Sequence, residues 1–74
     1  MIRNENVARH VGELMLDCTT RLNASISLVQ GECNPEEFKA YRLAVGKVMA
    51  EILLEVLNPL FEVHPELKPS GWVE

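Results

Sequence analysis

Three titratable side chains, His10, Glu13 and Asp17, follow one another at spacings of three and four. On an α-helix that spacing puts them on one face, and an imidazole with two carboxylates is a donor set that a divalent cation accepts. Carboxylate metal sites in helical bundles also need glutamates from several helices and a Glu-x-x-His pair, and the sequence has no such pair. The three residues stand opposite the apolar positions of their segment, so they read as a solvated face. Glu51 and Glu55 interrupt an otherwise apolar run. They are expected in solvent or paired with Arg9 or Arg21 across an interface. Cys33 precedes a helix start, where a thiolate is favoured, but Glu32, Glu36 and Glu37 crowd it with negative charge. Cys18 reads as a small apolar core residue, and His64, before Pro65, as structural or solvent-facing. No glycine-rich phosphate loop, zinc spacing or nucleophile elbow is present. The expectation is a protein that is not an enzyme and takes no cofactor or metal.

The elements carrying these residues are legible from their punctuation. Asn34-Pro35-Glu36-Glu37 combines a capping asparagine, a proline suited to the first helical position, and a glutamate at capping-box spacing. Asn58-Pro59 should end or kink the same helix, stopping it near residue 58 or, past a kink, near 62. Upstream, Gly31 reads as a left-handed C-cap, and Asn4 and Asn6 both qualify as N-caps. Val7, Val11, Leu14, Cys18, Leu22, Ser25 and Val29 recur at three and four, the pattern of a helix with one buried face. The predicted fold is all-α: an antiparallel helical hairpin with helices over about 5–30 and 35–58. The hairpin is expected to occupy residues 1–62. Residues 63–74, rich in proline, would form an extended or one-turn tail packing on it.

Size sets the problem that this fold must solve. The chain has 74 residues, of which 47% are hydrophobic and 24% charged, and its formal net charge is −4. One domain of that length buries only about 60% of the surface its unfolded chain exposes, and such domains usually add a disulfide, a metal or a partner chain. About eleven residues, or ~16 Å of helix, separate Cys18 from the end of its helix, whereas a disulfide needs Cα atoms within about 7 Å. Two unpaired thiols fit a reducing compartment, so the expected location is cytoplasmic. MIRNENVARHVGELML lacks the continuous apolar core of a signal peptide. Lys47, Glu51 and Glu55 break up the most apolar stretch, so no membrane span is expected. The 7 basic residues are scattered and outnumbered by 11 acids, unlike the basic clusters that bind nucleic acid.

A partner chain is what remains, and the second helix asks for one. One seam is Phe38, Tyr41, Val45, Val48, Ile52 and Val56; another is Leu43, Gly46, Ala50, Leu53, Leu57 and Leu60. At about 100° per residue these are two faces, with Lys47, Glu51, Glu55 and Asn58 as the polar strip and Lys47–Glu51 spaced for an ion pair. One neighbouring helix covers one seam. The other predicts a homodimer interface, two hairpins forming a four-helix bundle; the rival cover is the chain's own tail, with Phe61, Val63, Leu67 and Trp72 folded back over the seam from a turn at Pro59. Gly46 with Ala50, and Ala8 with Gly12, are smooth enough for close helix approach. Trp72 is the candidate contact for an unknown protein partner. The functional expectation is therefore a self-associating interaction module. The alternatives are an apolar-ligand binder with a cavity near Met15, Met49 and Phe61, and a carboxylate–histidine metal site.

Overall fold

The first helix starts where Asn4 accepts a hydrogen bond from the amide of Val7 at 3.1 Å. The computed structural model describes residues 1–71, and from this cap α1 runs over Glu5–Glu32. Gly31 lies inside its last turn. The helix closes instead on Cys33, extended, whose amide donates to the carbonyl of Val29 at 2.9 Å. An extended Cys33 leads straight into the next cap, so no left-handed residue is needed there. Among the described residues only Gly71 has positive φ.

Asn34 then caps α2 (Pro35–Glu51) with a complete capping box. Its side chain accepts from the Glu37 amide at 2.9 Å, and its own amide donates to the Glu37 carboxylate at 3.4 Å. The two helices lie antiparallel, joined by this two-residue connection. Tyr41 reaches across to Ser25, oxygen to oxygen at 2.7 Å. The single Ser25 hydroxyl proton is directed at the carbonyl of Leu22, so Tyr41 is the donor. The fold is all-helical, a hairpin of two helices joined by a turn, with no strand among the described residues.

The helical run does not stop at Asn58-Pro59. Ile52–Leu57 form a π turn, and α3 (Asn58–Val63) continues from it with Pro59 in its first turn. Proline has no amide to donate and its ring collides with the carbonyl four residues back. A wide turn, in which the Asn58 amide reaches five residues back to Leu53, relieves that collision while the chain remains helical. After His64, Pro65–Leu67 make one 3₁₀ turn.

The π turn also decides what is buried. Taking Val45 as the contact line at about 100° per residue, an ideal helix would place Leu57 about 120° away and Val56 about 20° away. One extra residue in a wide turn rotates everything downstream by about 100°, bringing Leu57, Leu60 and His64 within about 40° of that line. This is the observed burial: Ala8, Leu57, Leu60 and Phe61 are at most 2% exposed and form one cluster. Ile2, Met15, Leu16, Ile52, Leu53 and Leu67 pack around it. On α1 the contact line is rotated from the expected stripe. Ala8 and Gly12 are buried, whereas Val7 and Leu14 are exposed. Small residues let α3 sit close: a Cβ at Gly12 would lie 3.4 Å from Leu60 Cδ2. His64, also buried, closes this end by donating from Nε2 to the carbonyl of Ile2 at 2.7 Å.

Candidate interaction surface

A hairpin of two helices is one layer thick. The molecule measures 44 × 21 × 15 Å, and the short dimension is little more than one helix with its side chains, about 10–12 Å. Domains ordinarily pack two layers around a core; here both broad faces of the single layer are open, and each carries a groove between α1 and α2.

The first groove, about 340 Å³, is lined by Leu16 and Thr19 from α1 and by Gly46, Met49, Ala50, Leu53 and Leu57. No charged side chain among the described residues lines it. Four of the six residues expected at a dimer interface are here, and the structure separates that set. Leu43 is 55% exposed, Gly46 and Ala50 are exposed, Leu53 is half-buried, and Leu57 and Leu60 belong to the chain's own core. The π turn is the reason, since it swings the C-terminal part of the seam inward. Among the described residues no atom outside its own helical neighbourhood lies within 4 Å of a Cβ built on Gly46. Trp72 lies outside the described residues.

The second groove, about 510 Å³, lies on the opposite face and is lined by Cys18, Arg21, Leu22, Ser25, Tyr41 and Ile52. Leu14 and Val48, each about half exposed, stand on the same side of the layer by helical phase. Sequence periodicity assigned Leu14, Cys18 and Leu22 to a stripe facing α2. They form the border of an open face instead, because the contact runs through Ala8 and Gly12.

The titratable residues do not converge. His10, Glu13 and Asp17 are exposed, and no three His, Cys, Asp or Glu side chains among the described residues are placed to hold a metal ion. Arg9 pairs with Glu5 at 2.9 Å, and the Lys47–Glu51 pair does not form. Cys18 is half-buried, Cys33 is exposed, and both are free. The surroundings of Glu66 perturb its carboxylate. A hydrogen bond from its own backbone amide holds it below the usual range, desolvation opposes this, and the His64 ring at 3.2 Å and Arg9 lower it further. That contact was not legible in the sequence, where His64 and Glu66 are near neighbours in a proline-rich tail. No helix among the described residues is long and apolar enough to cross a membrane. Comparison with protein-family models, with curated proteins and with solved structures gives no match.

Proposed function

We propose that this chain is a small non-enzymatic helical protein of the cytoplasm that self-associates, two hairpins packing about a twofold axis as a four-helix bundle, and serves as a protein-interaction module. The observation that carries this reading is the area left uncovered. The accessible surface is 5467 Å², whereas a folded monomer of 8.3 kDa is expected to expose roughly 4,600 Å². The excess, roughly 900 Å², is close to the ~800 Å² that each partner contributes to a stable protein interface. The radius of gyration agrees: 14.5 Å, against about 11 Å for a compact chain of this length.

The face proposed for the contact is the first groove with Leu43, Gly46, Ala50 and Leu53. An isologous contact brings each residue near the axis against its own copy, and a groove without lining charge suits that arrangement. Size-exclusion chromatography with light scattering tests the proposal. The expected mass at micromolar concentration is twice 8.3 kDa, and Leu43→Glu, at an exposed position, should give a folded monomer. A wild-type mass of 8.3 kDa overturns it.

A further inference from the structure

We propose that the two copies pack antiparallel, the hairpin turn of one over the open end of the other, because the face they share is basic at one end and acidic at the other. This rests on self-association through the first groove and adds its direction. Toward the hairpin turn, Lys39 and Arg42 stand on the groove side of α2, within about 40° of Gly46 by helical phase. Both are exposed, and neither has a carboxylate within ion-pair distance among the described residues. Glu36, at the outer edge of α2 about 80° from Gly46, pairs with neither. Toward the open end, the groove shares Leu16 with a cleft of about 220 Å³ whose charged lining residues are Arg9, Glu13 and Glu66. Arg9 is already paired with Glu5 at 2.9 Å, and Glu66 meets the His64 ring at 3.2 Å. Glu13 is exposed and has no ion pair among the described residues. Free cations thus stand at one end of the face and a free carboxylate at the other.

Two directions of the twofold axis bring these faces together. An axis along the helices gathers like ends: Lys39 and Arg42 share one end with their own copies, and Glu13 shares the other with its copy. An axis across the helices reverses one chain and lays Lys39 and Arg42 at the acidic end of the partner. Both directions cover the same uncharged groove, so apolar area does not choose between them. Charge does, since like charges brought together oppose association and opposite charges fix register.

Cys33, exposed and free at the hairpin turn, reports the direction. It lies about 15 residues of helix, ~22 Å, beyond the middle of the groove. Antiparallel packing therefore separates the two Cys33 residues by roughly 45 Å. The parallel arrangement leaves them within roughly 25 Å, since neighbouring helices lie about 8–10 Å apart. Spin labels on Cys33 of the full chain carrying Cys18→Ala, measured by double electron–electron resonance, should give the longer distance. Arg42→Glu should weaken the dimer at least about fivefold at low salt, because the reversal acts at two symmetric sites. Glu13→Arg should weaken it as well, although it reduces the net charge of −4, and the two changes together should restore it. A short Cys33 distance within a dimer overturns antiparallel packing and leaves self-association standing, whereas a wild-type chain that stays monomeric overturns both. An Arg42→Glu dimer as tight as wild type, or a Glu13→Arg dimer that is tighter, also overturns the proposal.

Discussion

Replacing Gly46 by alanine asks whether another backbone comes close to α2, because two effects act on different observables. Among the described residues of one chain the substitution meets nothing: no atom beyond the local helix lies within 4 Å of the added Cβ. Alanine is the better helix former by about 1 kcal/mol in a helix interior, and Gly46 is well inside α2. The isolated chain should therefore gain roughly that much, raising its unfolding free energy in the dilute limit. Across a twofold interface at Gly46 the methyl group enters twice. Overpacking costs typically ~1–3 kcal/mol per site, or about 2–6 kcal/mol per dimer, and each ~1.4 kcal/mol is a factor of ten in the dissociation constant. Sedimentation equilibrium should show the Gly46→Ala dimer weakened by more than about tenfold, while urea unfolding at the lowest concentrations shows a more stable chain. Gly31→Ala is the control, since Gly31 is also exposed, helical and without near neighbours. It should leave the dissociation constant unchanged. A Gly46→Ala protein whose dimer is as tight as wild type would refute close backbone approach at this face.

Further outcomes follow from the fold. Leu60→Ala, which empties a fully buried site packed on Gly12, should lower unfolding stability by about 2–5 kcal/mol, measured by urea denaturation; a loss below about 1 kcal/mol would contradict its place at the centre of the core. Asn34→Ala removes the side-chain half of the capping box and should cost ~1 kcal/mol, with no change in oligomeric mass. Glu66 is held below its ordinary value in the folded chain, so its contribution to stability is present above the ordinary carboxylate range and lost as pH falls through the lowered folded value. The difference in melting temperature between wild type and Glu66→Gln should therefore be present at neutral pH and shrink in acid; a difference constant into acid would show that the carboxylate charge contributes nothing.

The parts of this fold that were readable in the sequence are those fixed by local chemistry. Asn34-Pro35-Glu36-Glu37 announces its helix because the cap is made by residues three apart, and the structure forms it. The all-helical hairpin follows from it and from the three-and-four spacing of α1. What was not readable depends on contacts distant in sequence. Pro59 was expected to end the helix near residue 58 or, past a kink, near 62; the run does continue, to Val63, and the unforeseen part is the π turn upstream that accommodates the proline. That one inserted residue moves Leu57 and Leu60 from the outward seam into the core, a change of face that no ideal periodicity contains. The α1 stripe was misphased for a related reason. Val7 and Leu14 are more apolar than Ala8 and Gly12, but the smaller pair permits the closer packing and is therefore buried. Gly31 was expected as a left-handed cap, and an extended Cys33 made that unnecessary. His64 is buried because its ring finds Ile2 at the far end of the chain, a partner that local sequence does not reveal.

A single helical layer is too thin to shelter its own apolar faces, and the proposed second copy covers the one that carries Leu43, Gly46, Ala50 and Leu53. Sedimentation equilibrium of the wild-type chain across a micromolar dilution series measures this directly. The predicted mass is twice 8.3 kDa, falling toward the single-chain value only on dilution. A mass of 8.3 kDa throughout, from a chain that remains helical and melts cooperatively, would contradict it.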